Sequence, residues 1–323
     1  MSWIHEHIAS LEKRPALVDS NGEFLYCQLF EIIEKYSEKV DRKIQNGEIV
    51  VIHSDYNVYS IALLIALLEK KCLIVPVVTL NKEELEKRLE VAQCDWFVQL
   101  HGSELKIERH RGELQRHDLL KNLIDIKHAG LILFSSGSTG TPKAMVHDLD
   151  KLVDSYRGRK KKRLNILIFL MFDHIGGLNT LFSSLSMGAR IILPENRTPD
   201  YIGSIIERYK IHLLPSTPTF LNMILMARIK EKFNFSSLKM ITYGTESMPE
   251  SLLTKLKHEF PNVRLMQTFG TSETGIAKTK SKSSGSLEMK FDDPDLEYKV
   301  VEGELWLRSK TQVMGYLNAS PES

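Results

Sequence analysis

The sequence predicts an α/β fold with layers of helices around mostly parallel, buried sheets, and a small β subdomain near the C-terminal end. Segments with helical periodicity alternate with short apolar strands along most of the chain, which is typical of layered architectures. Some strand segments, such as residues 166–172, are continuously apolar, and this indicates a sheet covered on both faces. From about residue 298 to 316 the chain has strand character without helices, which predicts the β subdomain.

The composition is that of a globular protein. Of the 323 residues, 42% are hydrophobic and 26% charged, which argues against disordered, collagen-like and coiled-coil proteins. A formal net charge of +2 provides no electrostatic argument for a nucleic-acid partner. The longest apolar run, residues 61–68, is too short for a transmembrane segment, and the N-terminus lacks a secretory signal pattern. We expect a cytoplasmic protein with reduced cysteines, because Cys27, Cys72 and Cys94 match neither a disulfide framework nor a zinc pattern.

Individual elements follow from local patterns. Apolar residues spaced three and four apart over 29–44 predict an amphipathic helix, and Asn81 with Glu84 forms a capping-box pattern at the start of another. The expected helices are 29–44, 57–70, 81–92, 149–157, 178–187, 200–209, 220–229 and 250–259. The expected strands are 49–53, 72–77, 96–100, 130–134, 164–171, 189–193, 211–214, 238–243 and 263–269.

Two polar stretches interrupt the alternation. Residues 157–163 (RGRKKKR) are expected to form a solvated loop, and attraction of a phosphorylated ligand is the alternative. Residues 278–286 (KTKSKSSGS) contain no apolar side chain and are expected to form a mobile loop.

The segment 134–143 (FSSGSTGTPK) is the strongest functional signal. It follows an apolar strand, and it combines hydroxyl side chains, two glycines and Lys143. Glycine lets the backbone N–H groups approach an anion, hydroxyls add neutral donors, and the lysine adds a positive charge. The pattern differs from a Walker A loop because Pro142 precedes the lysine and Ala144 follows it. The segment is interpreted as a cradle for a polyphosphate, with a flexible Ser/Gly linker as the alternative.

This segment resembles the signature of the acyl-adenylate-forming ligases, which include acyl- and aryl-CoA synthetases, luciferases and the adenylation domains of peptide synthetases. Further segments resemble that family in the same order along the chain. They are 243–249 (YGTESMP), similar to its adenine-binding loop, 267–275 (QTFGTSETG), similar to its Tyr-Gly-x-Thr-Glu motif, and 303–306 (GELW) with 313–317 (VMGYL), similar to its Gly-Glu-Leu and Gly-Tyr segments. The resemblance spans nearly the whole chain and implies an acyl-CoA synthetase-like N-terminal domain.

The resemblance implies a particular domain organisation. A large AMP-binding lobe would comprise residues 1–275, built of two α/β subdomains of about 1–125 and 126–275 that could exchange elements. Residues 276–323 would begin a small β-barrel-like subdomain. The family's small C-terminal domain, with its essential lysine, would be absent. We therefore expect either a truncated form of a longer enzyme, which is the favoured reading, or a natural short form. Low activity is expected for this fragment alone.

The resemblance also implies roles for individual residues. Lys143, His174 and Glu273 would be catalytic, and Thr139 and Glu273 would hold Mg²⁺. The nucleotide would be bound by Ser135, Ser136, Gly137, Ser138, Thr139, Gly140, Lys143, Gly244, Thr245, Glu246, Thr268, Phe269, Gly270, Thr271 and Ser272. These assignments agree with simple chemistry, since a carboxylate oxygen suits Mg²⁺ and an aromatic ring such as Phe269 can stack on a purine. For His174 the alternative is a histidine satisfied by a backbone carbonyl, and His147 is expected to be structural.

The implied reaction is the ATP-dependent activation of a carboxylic acid to an acyl-adenylate, followed by transfer to the thiol of CoA or of a carrier-protein phosphopantetheine. The acid would be aryl or fatty, in a pocket formed by His174, the 216–219 loop, Tyr243, Gly244, Thr268 and Ile276. A possible partner is a carrier protein. The alternatives are a non-catalytic nucleotide- or adenylate-binding protein that retains only the large lobe, and an unrelated phosphate-binding module.

Overall fold

The computed structural model of the protein describes residues 2–110, 115–135 and 142–318. The helices in these ranges are α1 (Trp3–Ala9), α2 (Tyr26–Asp41), α3 (Val58–Glu69), α4 (Lys82–Val91), α5 (Asp118–Asp125), α6 (Leu149–Asp154), α7 (Ile175–Met187), α8 (Pro199–Tyr209), α9 (Pro218–Met226), α10 (Ile229–Lys232) and α11 (Glu250–Glu259). The strands are β1 (Pro15–Asp19), β2 (Gly22–Leu25), β3 (Ile49–His53), β4 (Leu73–Val77), β5 (Trp96–His101), β6 (Glu104–Arg109), β7 (Gly130–Ser135), β8 (Lys143–Asp148), β9 (Asn165–Leu167), β10 (Arg190–Ile192), β11 (Leu213–Ser216), β12 (Met240–Tyr243), β13 (Arg264–Gln267), β14 (Phe269–Thr271), β15 (Gly275–Ala277), β16 (Thr279–Ser281), β17 (Met289–Phe291), β18 (Leu296–Val301), β19 (Glu304–Ser309) and β20 (Gly315–Tyr316).

Two seven-stranded sheets organise the chain. The first has the strand order β20-β8-β7-β4-β3-β5-β6, in which β5, β3, β4 and β7 are parallel and the outer strands β6, β8 and β20 are antiparallel to their neighbours. The second has the order β13-β12-β11-β9-β10-β1-β2 and is parallel except for β2. Strands from the first 25 residues therefore complete the second sheet, whereas β7 and β8 extend the first. The predicted division near residue 125 stays a prediction.

The apolar side chains form five alternating layers of helices and sheets. Alternate residues of β3 face opposite sides of its sheet, with Val50 and Ile52 in one core cluster and Ile49 and Val51 in another. The shared central cluster lies between the two sheets and contains α3, where residues 61–68 are almost completely buried. The outer face of the second sheet packs against helices α8, α9 and α11. The prediction of a layered α/β fold with sheets covered on both faces is confirmed.

A charged network joins the ends of the two sheets. Asp55, which follows β3, accepts hydrogen bonds from Arg197 at 2.9 Å and from the backbone N–H of Phe172 at 3.1 Å. The Arg197 Nε also donates to the carbonyl oxygen of Phe169 at 2.6 Å. Arg197 and Asp55 are only partly exposed, so the pair is partly protected from solvent screening. This network holds the loop before α7 against the first sheet.

Some local predictions differ from the structure. The loop expected at 278–286 is wrong for Thr279–Ser281, which form β16 and pair antiparallel with β17. Ion pairs between Lys280 and Asp292 and between Lys282 and Glu288 lie across this hairpin, and Phe291 of β17 packs against the rings of Phe269 and Tyr298. The strand expected over 164–171 is limited to Asn165–Leu167, and the helix expected at 178 begins at Ile175. In the basic segment the lysines are exposed as expected, but the Arg159 guanidinium packs on the Tyr156 ring and donates to Ser183.

The C-terminal segment has β character, as predicted for about residues 298–316, in the antiparallel pair β18–β19; the pairs β14–β15 and β16–β17 precede it. The three cysteines are free, and burial raises the pKa of the Cys72 and Cys94 thiols. Within the described residues, the helices are all too short or too polar to cross a lipid bilayer.

Candidate active site

The site begins at the strands β7 and β8, which flank the segment 134–143, called the Ser/Gly/Thr segment below. Ser135 at the end of β7 is paired with Lys143 at the start of β8, so the chain leaves and returns at the same point of the sheet. Five of the expected phosphate-binding residues, namely Ser136, Gly137, Ser138, Thr139 and Gly140, lie outside the described residues, and their contacts stay predictions. The antiparallel pair fixes the two ends of the segment next to each other, and the choice between a phosphate cradle and a linker stays a prediction.

Tyr316 connects the two residues on which the sequence argument depends. Its hydroxyl donates to Oε1 of Glu273 at 3.0 Å, and the Lys143 Nζ lies 5.5 Å from the centroid of its ring. Burial, together with the neighbouring Glu273 carboxylate, raises the pKa of Tyr316 to about 12, so the phenol remains a donor at neutral pH. Lys143 and Glu273 therefore lie on the same side of the molecule, close enough to share one ligand.

The segment after β19 holds this arrangement in place. The backbone N–H of Val313 donates to the carbonyl oxygen of Glu273, and β20 pairs with β8 so that Tyr316 lies opposite Met145. The amide side chain of Asn318 then accepts from the Ala144 N–H at 2.9 Å and donates to the Pro142 carbonyl at 2.8 Å. The C-terminal segment thus clamps the strand that carries Lys143.

His174 is the N-cap of α7, and this role determines which ring nitrogen faces outward. The Nδ1 atom accepts a hydrogen bond from the backbone N–H of Gly176 at 3.0 Å. Burial lowers the pKa of His174, although the nearby Asp173 carboxylate opposes this, so the ring is neutral near pH 7. Because Nδ1 is an acceptor, the proton of the neutral ring lies on Nε2. His174 therefore presents a neutral N–H donor rather than a positive charge.

Arg88 on α4 links the region of His174 to the start of the Ser/Gly/Thr segment. Its guanidinium donates to the Asp173 carboxylate at 3.2 Å and to Glu84 at 2.5 Å. The same group lies 5.4 Å from the ring centroid of Phe134, near the end of β7. Arg88 thereby fixes the start of α7 relative to the strand that leads into the Ser/Gly/Thr segment.

A cavity of about 340 Å³ adjoins His174. Of the expected nucleotide-binding residues, it is lined by Gly244, Thr245, Thr268, Gly270, Thr271 and Ser272, and of the expected acid-pocket residues by His174, Ser216, Gly244, Thr268 and Ile276. Other expected residues lie outside its lining. Glu246 accepts hydrogen bonds from the N–H and hydroxyl of Thr219, Phe269 packs edge-on against Phe291 with centroids 5.4 Å apart, and the Tyr243 side chain is buried in the outer core.

The backbone at one wall of this cavity requires a glycine. A Cβ atom on Gly244 would lie 2.5 Å from the Thr268 hydroxyl oxygen, closer than any side chain tolerates. Thr268 cannot move away easily, since its N–H and its hydroxyl both donate to the Tyr243 carbonyl. The next residue, Thr245, has a positive φ of 70°. This close approach determines the backbone conformation of the loop that was expected to surround the adenine.

Several residues of the site were not identified from the sequence. Arg88, Tyr316, Asn179 and Thr180 bring polar groups to the site or line the cavity, although local patterns mark them only as helix or strand positions. Tyr316 belongs to the Gly-Tyr segment that resembled the family, and that resemblance was the available signal.

The Glu273 carboxylate is suited to bind Mg²⁺ together with a phosphate ligand. Mg²⁺ is commonly held by one or two protein carboxylates together with substrate phosphates and water, rather than by a cage of side chains. Within the described ranges, clusters of three or more potential ligand side chains are absent. A single carboxylate such as that of Glu273 is compatible with a metal that is also bound by a phosphate ligand.

The comparisons with known proteins agree with this geometry. The family model described as AMP-binding enzyme matches residues 4–317. The chain belongs to the AMP-binding enzyme family.

Curated relatives of this family member include plant ligases. It is 27% identical over 234 residues to 4-coumarate--CoA ligase 4 of Arabidopsis thaliana, with 64% of this chain and 41% of the relative covered. It is 26% identical over 270 residues to 4-coumarate--CoA ligase 2 of Petroselinum crispum, with 74% and 48% covered. The chain thus spans less than half the length of these relatives.

Solved structures with low sequence identity share the fold. The anthranilate CoA ligase AuaEII in complex with anthranoyl-AMP superposes with a TM-score of 0.81 at 17% identity, covering 99% of this chain and 71% of that one. The Klebsiella oxytoca NpsA N-terminal subdomain in complex with 3-hydroxyanthranilyl-AMSN gives a TM-score of 0.79 at 16% identity, covering 99% and 89%. The fold predicted from the resemblance, an acyl-CoA synthetase-like N-terminal domain, is confirmed.

Proposed function

We propose that the protein activates a carboxylic acid with ATP, releasing pyrophosphate and forming an acyl-adenylate for transfer to the thiol of CoA or of a carrier-protein phosphopantetheine. Membership of the AMP-binding family supports the reaction type. The observation that carries the proposal is the convergence of Lys143 and Glu273 on Tyr316, where the strand of the Ser/Gly/Thr segment begins. A cation and a hard-oxygen ligand at that point suit a metal-bound triphosphate.

The bond changes require alignment more than proton transfer. A carboxylic acid is ionised near pH 7, so its oxygen attacks the α-phosphorus without a general base. The new bond joins that oxygen to the α-phosphorus, and the bond between the α-phosphorus and its bridging oxygen breaks to release pyrophosphate. The main obstacle is repulsion between an anion and a polyanion, and preorganised donors lower it.

The chain's own groups supply these donors. The Lys143 ammonium would neutralise the leaving pyrophosphate, and the Nε2–H of His174 would donate to the reacting carboxylate or to an α-phosphate oxygen. A neutral imidazole suits this role because it can orient the carboxylate without forming a tight ion pair. When bound, Mg²⁺ would supply further charge neutralisation, held by Glu273 and, in the predicted loop, by Thr139.

The nucleotide would extend from the Ser/Gly/Thr segment toward the second sheet. Ser135, Ser136, Gly137, Ser138, Thr139, Gly140 and Lys143 would hold the phosphates, and Gly244, Thr245, Glu246, Thr268, Phe269, Gly270, Thr271 and Ser272 would surround the adenosine. The position of Gly244, Thr245, Thr268 and residues 270–272 on the wall of one cavity supports this assignment. Phe269 would offer a ring face for the adenine.

Acid-dependent exchange of labelled pyrophosphate into ATP tests the proposal directly. The unmodified chain is expected to show slow but measurable exchange with at least one acid of an aryl and fatty acid panel, in line with the low activity expected for this fragment alone. Lys143→Ala and Glu273→Ala are expected to lower the exchange rate by about 10²–10³-fold, the range seen when one preorganised donor is removed. Matched control variants are Lys35→Ala and Glu86→Ala, whose side chains are exposed on α2 and α4.

The outcomes separate the alternatives. Exchange that persists in Lys143→Ala and Glu273→Ala at the level of the controls would exclude these residues as the catalytic groups. Binding of Mg·ATP without exchange for any acid would favour a non-catalytic nucleotide-binding protein. Lack of ATP binding would exclude both functions.

A further inference from the structure

The wall of the cavity carries a hydrogen-bond donor that the proposed reaction does not use. Asn179 and Thr180 line the cavity on α7, the helix that His174 caps. Asn179 is five residues beyond His174, which corresponds to about 7.5 Å along the helix axis. An acid whose carboxylate lies at His174 would therefore approach Asn179 with the part of the molecule remote from its carboxylate.

A hydrogen bond from Tyr156 fixes the orientation of the Asn179 side-chain amide. The hydroxyl of Tyr156 donates to its Oδ1 at 2.8 Å. Tyr156 is buried in the central core, and the reverse amide orientation would leave its phenolic hydrogen without this acceptor. The Nδ2 group therefore lies on the side of the amide away from Oδ1. Within the described part of the chain, Nδ2 has no acceptor at hydrogen-bond distance.

A second polar group of the cavity is also unsatisfied. Ser216, at the end of β11, lines the same cavity and is 95% buried, with a relative exposure of 5%. Its Oγ lacks a hydrogen-bond partner among the described residues. A buried hydroxyl without a partner is destabilising, whereas a ligand oxygen can satisfy it. Thr180 differs, because its hydroxyl already donates to the Gly176 carbonyl.

We propose that the acid is a single-ring aryl acid with a hydroxyl substituent at the end remote from its carboxylate. The substituent oxygen accepts from the Nδ2 of Asn179, and its hydrogen is donated toward the Oγ of Ser216. This inference rests on the proposed function and names its substrate class. A long alkyl chain fits less well, because it would leave both polar groups without a hydrogen-bond partner.

Pairs of acids that differ only in this substituent test the inference. The probes are 3- and 4-hydroxybenzoate compared with 3- and 4-methylbenzoate, since methyl and hydroxyl groups have similar size. Affinity is measured by calorimetry, and acid-dependent pyrophosphate exchange is measured in parallel. For the unmodified chain we expect at least one hydroxy acid to bind about 10–100-fold more tightly than its methyl counterpart, because a site built for a hydroxyl rejects an analogue that lacks it.

Two variants assign that preference to Asn179. Asn179→Leu removes the donor, and the hydroxy and methyl acids should then bind with about equal affinity. Tyr156→Phe removes only the group that orients the amide and should lower the preference several-fold; it provides an independent test if Asn179→Leu folds poorly. The matched control is Asn222→Leu, the same substitution at an exposed helical position on α9, which should keep the full preference.

The failure of this inference is distinct from that of the proposed function. Equal affinity for the hydroxy and methyl acids in the unmodified chain, with exchange intact, would overturn only the substrate class. A preference unchanged in both Asn179→Leu and Tyr156→Phe would overturn the role of Asn179. If no acid binds or supports exchange while ATP binds, both the proposed function and this inference are wrong.

Discussion

His147 should make the folded protein sensitive to mild acid. It lies on β8, is 1% exposed, and has no hydrogen-bond partner for either ring nitrogen among the described residues. Burial lowers its pKa to about 4 from an ordinary value of 6.5, even though the Glu273 carboxylate acts in the opposite direction. The sequence interpretation of His147 as structural agrees with this environment.

The size of the effect follows from proton linkage. Below pH 6.5 the unfolded chain binds a proton at His147 that the folded chain does not bind until about pH 4. The unfolded state is therefore favoured progressively as the pH falls through this window. With these two pKa values, the free energy of unfolding falls by about 2 kcal/mol between pH 7 and pH 5, and by about 3 kcal/mol at pH 4.

Urea unfolding at several pH values measures this contribution. The stability difference between the unmodified chain and His147→Leu should change by about 2 kcal/mol between pH 7 and pH 5, in favour of the variant at the lower pH. This comparison cancels any packing cost of leucine that is independent of pH. His101→Leu, at an exposed position on β5, should show no such change. Parallel stability curves for His147→Leu and the unmodified chain would refute the reasoning.

Three further changes probe the contacts around the site. Tyr316→Phe removes the hydrogen bond to Glu273 but keeps the aromatic ring. The affinity for Mg·ATP, measured by calorimetry, should fall about 5–30-fold. An unchanged affinity would contradict a positioning role for Tyr316. Gly177→Ala would place a Cβ 2.5 Å from a backbone carbonyl oxygen, and the free energy of unfolding should fall by about 1–3 kcal/mol in urea. Asp55→Ala leaves Arg197 without its carboxylate, so thermal denaturation should show a lower Tm, which a control at an exposed aspartate should not.

The local elements of the fold could be predicted because their signals are contained in short windows. The strand at 49–53 and the helix at 250–259 have the boundaries that the sequence predicted, since an apolar run and a proline before a charged first turn are local features. The layered class followed from continuously apolar strands. The β16–β17 hairpin was missed because the alternation of lysine and serine contains no apolar signal, while the partner strand lies ten residues away.

The site was predicted in part for a similar reason. Motifs identified Lys143, His174 and Glu273 as chemically important, but they carry no information about which groups hold them. The phenol of Tyr316 reaches Glu273 across 43 positions, and Arg88 reaches Asp173 across 85. The outward nitrogen of His174 depends on a backbone N–H at the start of α7, which only coordinates reveal. Long-range side-chain contacts and hydrogen-bond direction therefore had to come from the structure.

The clamp formed by β20 and Asn318 has a consequence for how the protein is made. Lys143 is synthesised long before the residues that brace its strand, since the partners of Pro142 and Ala144 lie 176 and 174 positions later. A nascent polypeptide on the ribosome can pair β7 with β8 early. The free edge of β8 remains unpaired until β20 and Asn318 have emerged from the exit tunnel. The proposed nucleotide site would then be completed only after residues 315–318 have been synthesised.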